Sequence, residues 1–260
     1  MVNSISFAAL VFATTAAMTS GASMRAEAAP MPDGSWPTSQ GNEYLAAPYT
    51  VKRGEVFDGK MKTFQRSNVK CRGQEESGWQ TAVFVVQAGG TLKNVIIGTD
   101  QMEGVHCEHG DCLVQNVWWN DVCEDALSIK GGSASSMARV VGGGARSAAD
   151  KVVQHNGYGS VSIEGFYVQD FGKLFRSCGT CGDKGVSISI KNVLAVNGRV
   201  SILTKNKSDR ATIENIKIKG KKVDVCSWSD GAGAGGEPRK AGAGPSGNGC
   251  SYSPSTIAYV

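Results

Sequence analysis

Apolar positions in this chain come in short runs, and glycine or asparagine ends each run. From Val51 onward no 3.6-residue period is sustained, so the pattern predicts strands rather than helices. Five segments share one signature: Leu92–Ile96 (LKNVI), Val114–Trp118 (VQNVW), Ile163–Tyr167 (IEGFY), Ile190–Leu194 (IKNVL) and Ile213–Lys217 (IENIK). Each is apolar, polar, Asn (once Gly), then apolar or nearly so. Their starts are 22, 49, 27 and 23 residues apart, and the gap of 49 is two periods with Ala138–Val141 between. A second series interleaves, with members beginning near Val83, Gly104, Leu127, Lys151, Lys173, Val200 and Val223. Two ladders sharing one period predict a solenoid of β coils. The leucine-rich signature is missing, and a propeller blade needs a longer repeat. The expected fold is all-β: a single-domain right-handed parallel β-helix. The Asn column is expected to be an asparagine ladder, amide bonded to amide up the stack, with a structural role.

The ends change this picture in two ways. The opening lacks Lys and Arg, runs apolar from Ile5 to Met18, and then turns to small residues. That is a secretory signal peptide over 1–22, with cleavage after Ala22 or as late as Ala28. The run is too short to span a bilayer, so no membrane association is expected. Residues 29–50 are expected to form an N-terminal arm, 51–230 the β-helix, and 231–260 a Gly-rich C-terminal segment. Eight cysteines in a secreted chain point to four disulfides. Sequence fixes no connectivity, although Cys107/Cys112 and Cys178/Cys181 are close enough to pair locally. Cys226 and Cys250 would close the Gly-rich segment.

Net charge is +4 and the pI about 8.6, which suits an extracellular polyanion such as an acidic polysaccharide. No basic stripe interleaved with aromatics is present, which argues against a nucleic-acid partner. The Lys217–Lys222 run is a solvated turn by the same reading. Asn206-Lys207-Ser208 has the form of an N-glycosylation sequon.

The candidate chemistry sits in the second ladder. Glu103, Glu124-Asp125, Asp150-Lys151 and Lys173 fall at or just before strand starts, so stacking places them about 5 Å apart per coil. Clustered carboxylates raise each other's pKa unless a cation lies between them. Glu103, Glu124, Asp125 and Asp150 offer hard oxygen ligands suited to Ca²⁺. Lys151, Lys173 and Arg176 add positive charge beside them. Arg176 lies three residues after Lys173, so strict alternation would send it to the opposite face; a bend or bulge is needed to bring it round. Such a site could bind a sugar acid and stabilise charge building on its carboxylate, allowing proton abstraction and β-elimination. Like charges around Lys151 should partly depress its pKa, against the pull of the carboxylates. His106 and His155 are expected to be hydrogen-bonded structural residues. Of Trp118 and Trp119, one should enter the core and the other is free to stack on sugar.

Four motifs carry a resemblance: EGVHC (103–107), NVWWNDVCEDA (116–126), ADKVVQHNG (149–157) and GKLFRSCG (172–179). Over roughly residues 45–228 the chain resembles class III pectate lyases, polysaccharide lyase family 3. The resemblance implies a secreted, monomeric, Ca²⁺-dependent β-helix. It would cleave α-1,4-linked polygalacturonate or low-ester pectin by β-elimination to 4,5-unsaturated oligogalacturonides. It places paired acidic metal ligands on Glu124 and Asp125, a lysine base on Lys151, and the downstream cations on Lys173 and Arg176. Lys130 is a further candidate for substrate binding. The ligand ahead of the G-[IV]-H-C motif is Asp in some members and Glu103 here. Two other readings remain open at this point: a β-helix glycoside hydrolase, and an inactive pectin-binding wall protein.

Overall fold

The computed structural model describes residues 29–233, 236, 238–245 and 249–260; the expected signal peptide lies outside them. The chain opens with β1 (Asn42–Leu45), β2 (Tyr49–Val51) and β3 (Val56–Arg66), and a 3-10 turn at Trp79–Thr81 leads into β4 (Ala82–Val86). The repeat continues as β5 (Thr91–Ile97), β6 (Glu103–Cys107), β7 (Leu113–Trp119), β8 (Asp125–Ile129), β9 (Met137–Arg146) and β10 (Lys151–His155). Then come β11 (Ser160–Gln169), β12 (Lys173–Ser177), β13 (Ser187–Val196), β14 (Ser201–Asn206), β15 (Arg210–Lys219) and β16 (Asp224–Asp230). Three short strands close the described chain: β17 (Arg239–Ala243), β18 (Cys250–Ser251) and β19 (Ile257–Tyr259).

Odd-numbered strands from β1 to β15, with β18 and β19, stack into one sheet; the even-numbered strands β2 to β16, with β17, stack into the other. Strand pairs are parallel except β16 with β17. This is a parallel β-helix, and the two interleaved repeats are its two sheets. We call them the ladder sheet and the groove sheet.

The ladder sheet bends at the Asn column. Asn94, Asn116, Asn192 and Asn215 all have φ between 52 and 56°. Asparagine tolerates that left-handed conformation better than most residues. The amides stack in two pairs: Asn116 Nδ2 donates to Asn94 Oδ1 at 2.9 Å, and Asn215 Nδ2 to Asn192 Oδ1 at 2.7 Å. Gly142 and Gly165 interrupt the column between them, and the N-terminal arm explains the second interruption. A Cβ on Gly165 would lie 2.3 Å from Ala29 Cβ. The arm lies across this face. Asn192 Nδ2 donates to Ala29 O, and the Trp36 ring packs edge-on to Trp118 with Arg146 stacked over it at 3.7 Å. Trp118 therefore belongs to the ladder sheet and is covered by the arm, away from the groove. Trp119 is core, and Gly104 makes room for it: a Cβ there would sit 2.5 Å from the indole Nε1.

Four disulfides form: Cys71–Cys123, Cys107–Cys112, Cys178–Cys181 and Cys226–Cys250. Removing a native disulfide costs about 2–5 kcal/mol in small domains, and a large stacked core should hold the cost here near the lower figure. Loop-closure entropy grows with loop length, so Cys71–Cys123, 52 residues apart, should matter more than Cys178–Cys181, 3 apart. We expect the double Cys→Ala variant of the long loop to lose about 2 kcal/mol more in urea unfolding than that of the short loop. Equal losses would show that local strain, not chain entropy, governs both.

The sequon is not usable in the folded chain. Asn206 is buried, and its Nδ2 donates to Cys178 O at 2.7 Å.

Candidate active site

Register aligns the groove sheet with no coil out of step. Glu103 pairs with Asp125, Lys151 with Lys173, and Lys173 with Ser201. Three positions on, His106 pairs with Ser128, Ser128 with Gln154, and Gln154 with Arg176. Both columns face outward. Between them each strand carries two consecutive residues that turn into the core: Val83-Phe84, Ala126-Leu127, Val152-Val153, Leu174-Phe175 and Ile202-Leu203. The first of each pair has no partner in the strand register, so alternation breaks there at every coil. First and fourth positions consequently share a face. Hydrogen bonds across that interval confirm it: Ser128 Oγ to Asp125 Oδ2 at 3.1 Å, and Ser201 Oγ with Thr204 Oγ1 at 2.8 Å. The bend that Arg176 required is thus built into the whole sheet.

Glu103, Glu124 and Asp125 converge, each offering an oxygen within 4.8 Å of the others, and all three are buried. Lys151 Nζ donates to Glu124 Oε1 at 2.7 Å and lies 3.3 Å from Asp125 Oδ1, which it does not reach in hydrogen-bonding geometry. Burial, with Glu124 and Glu103 nearby, pushes the Asp125 carboxyl well above its usual range despite Lys151. One buried ammonium thus faces more negative charge than it can neutralise. Three hard oxygens carrying excess negative charge fit a Ca²⁺ ion, and no soft ligand is among them.

Asp150 stands apart from this trio. It is half-exposed and ion-paired with Lys173, with Lys151 3.5 Å away. Burial works to raise its pKa, but the two lysines hold it below the normal carboxylate range. Arg176 is half-buried; desolvation lowers its pKa, while Asp150 opposes that shift. It forms no hydrogen bond or ion pair among the described residues. Lys130 follows β8 at the far end of the strands. It influences Glu108 and His106 and makes no contact with the three carboxylates.

The expected depression of the Lys151 pKa is reversed. Burial pulls it down, but Asp125, Glu124 and Asp150 outweigh burial and raise it above the ordinary lysine value. Sequence spacing showed the charges sharing a face but not that the carboxylates would be the nearest neighbours.

His106 is hydrogen-bonded, as expected, but sequence reasoning did not identify Glu103 as its partner. His106 lies three residues on, with Nε2 3.1 Å from Glu103 Oε2 and Nδ1 3.1 Å from Glu108 Oε1. Burial lowers the imidazole pKa, and the two glutamates more than reverse that. The spacing of three was the available signal, obscured by the assumption of strict alternation.

A family model described as pectate lyase matches residues 33–235, most of the chain. The chain belongs to the pectate lyase family. It is 50% identical over 213 residues to pectate lyase H of Emericella nidulans, covering 81% of this chain and 80% of that one. It is 48% identical to probable pectate lyase G of the same fungus over 205 residues, 78% of each chain. Among solved structures it resembles pectate lyase PelI of Erwinia chrysanthemi in complex with tetragalacturonic acid. That match has a TM-score of 0.66 at 29% identity, covering 84% of this chain and 70% of that one. Pel3 of Pectobacterium carotovorum matches with a TM-score of 0.65 at 30% identity, covering 83% and 73%. The chain is therefore an enzyme, a pectate lyase, and the hydrolase and inactive-binder readings fall away.

One buried group of this pectate lyase contradicts expectation. His155 was expected to be hydrogen-bonded, yet neither ring nitrogen has a partner among the described residues. It points into the core, next to Phe175. Burial, aided by Lys184, lowers its pKa to about 4. The unfolded chain binds this proton near pH 6.5, so stability is full above that value and falls as pH drops through 4. The shift corresponds to at most about 3 kcal/mol. His155→Leu should remove most of that acid sensitivity. Urea midpoints at pH 7 and pH 4.5 that fall equally in both proteins would show that other groups carry it.

Proposed function

We propose that this pectate lyase is a secreted class III enzyme, of polysaccharide lyase family 3. In this reading it cleaves polygalacturonate or low-ester pectin by Ca²⁺-dependent β-elimination. One observation carries the reading: a buried carboxylate trio and three cations lie on one face of one sheet. Glu103, Glu124 and Asp125 would hold Ca²⁺, with Asp150 placed to join through a bridging water or the substrate. Bound Ca²⁺ would offset the carboxylates' charge and polarise the uronate group.

The remaining work falls to the chain's own residues. Were the trio neutralised, much of the pull that raises the Lys151 pKa would be lost, leaving that of Asp150, and its amine could take the proton from C5 of the sugar. The C4–O4 bond breaks, its electrons leave with the glycosidic oxygen, and that oxygen picks up a proton. A C4–C5 double bond remains, and no water is consumed. Arg176, with a planar fork free of partners, suits the uronate carboxylate on which charge builds. Lys173 adds charge from the neighbouring position. Incubation with polygalacturonate should give an unsaturated product absorbing in the near ultraviolet, lost on chelation and restored by Ca²⁺. New reducing ends without that absorbance would refute the elimination.

A further inference from the structure

We propose that the cavity around Trp79 is a distal subsite binding a uronosyl unit of the same polysaccharide; this rests on the polygalacturonate reading above. The cavity has a volume of about 430 Å³ and is lined by residues including Thr50, Arg53, Trp79, Val85, Glu108 and His109. It lies on the groove sheet. Val85 pairs with His106, and His106 with Ser128 of the carboxylate site. The two sites are therefore continuous along one face. Strand β4 is three steps from β10, about 14 Å along the stack, and the cavity lies about 10 Å further along the strands than Lys151.

The cavity's chemistry fits a sugar acid. Trp79 is 49% exposed, an unusual state for so large an apolar ring. An indole face covers the apolar side of a pyranose, leaving its hydroxyls and carboxylate at the ring's edge. Arg53 is exposed and has no ion-pair partner among the described residues, so it can meet that carboxylate. Glu108 also borders the cavity, but its charge is already engaged by His106.

Trp79 is also rigidly placed. The buried Arg66 donates to Gln80 O at 2.7 Å and to Ala82 O at 2.9 Å, fixing the turn that carries the indole. The loop before it is tied by Cys71–Cys123 to the residue preceding Glu124. With the backbone of its turn already held, Trp79 binds with a reduced ordering cost.

The test compares a long substrate with a short one. Trp79→Ala and Arg53→Ala should each raise KM on polygalacturonate about fivefold to tenfold, with kcat within about twofold of wild type. Trp79→Phe should retain most of the affinity. On trigalacturonate, which is too short to span both sites, the kinetic constants should not move. An unchanged KM on the polymer, or equal losses on both substrates, would overturn the subsite. Affinity electrophoresis through gels containing polygalacturonate reads binding without turnover. If wild type were retarded more than Trp79→Ala yet made no unsaturated product, the elimination reading would fail and the subsite would stand.

Discussion

Lys151→Ala should lower kcat on polygalacturonate by about a thousandfold, within the range for losing a general base. The variant also removes the one ammonium among three buried carboxylates. Breaking a buried ion pair costs about 3–5 kcal/mol, so the assay belongs at saturating Ca²⁺, where the trio is neutralised another way. Lys151→Arg is the more informative partner. It keeps the positive charge beside Glu124 and Asp125 but cannot give up its proton near neutral pH. It should therefore fold well, bind oligogalacturonate and Ca²⁺, and remain inactive. In the wild type, activity should rise with pH as Lys151 loses its proton. That limb should move to lower pH as Ca²⁺ is raised, because the raised lysine pKa comes from carboxylates the ion would neutralise. Arg176 is the rival base: it is half-buried, its pKa is lowered, and its side chain has no hydrogen-bond partner among the described residues. An Arg176→Lys variant that loses the alkaline limb, while Lys151 variants keep it, would transfer the role to Arg176.

Asp125→Asn should have opposite effects on function and on stability. Without Ca²⁺ the Asp125 carboxyl is raised well above its usual range, chiefly by burial and then by Glu124 and Glu103. A carboxyl raised in the folded state stabilises the fold below its unfolded pKa, and that stability is lost as pH rises. At pH 7 the wild type bears this cost. The neutral amide does not, so the chelated variant should be about 1–2 kcal/mol more stable than chelated wild type. The gain in melting temperature on adding Ca²⁺ should shrink in the variant, and activity should fall. Full activity without extra Ca²⁺, or an undiminished thermal shift, would remove Asp125 from the ligand set.

The fold was legible because a β-helix writes its repeat into one dimension. The spacings of LKNVI, VQNVW and their relatives located the ladder sheet, and the charged strand starts located the groove. What spacing could not supply was the direction of side chains within a strand. The apolar doublets Ala126-Leu127 and Leu174-Phe175 were visible as residues. Only packing shows that both members turn inward and so bring Arg176 to the face of Lys173. Alternation was the wrong rule for this sheet, and it hid the His106–Glu103 bond for the same reason. Charge neighbourhoods were less legible still. Whether Lys151 feels carboxylates or cations more strongly depends on differences of about an ångström, and sequence does not encode those in readable form. Trp79 left no pattern at all; its meaning came from exposure and from the buried arginine beneath its turn.

The arm across the ladder sheet has a consequence for how the molecule comes apart. A stack of coils joined only to their neighbours can fray one coil at a time, its stability being a sum of local terms. Ala29 and Trp36 instead touch β7, β9, β11 and β13 through Trp118, Arg146, Gly165, Tyr167 and Asn192. Peeling away any one of these coils strips contacts from a segment the other three also hold. The arm thus acts as a tie rod, turning four nominally independent repeats into one cooperative block. Those coils include the β8, β10 and β12 strands that carry Asp125, Lys151 and Arg176, so the face of the proposed site should open only when the whole block does.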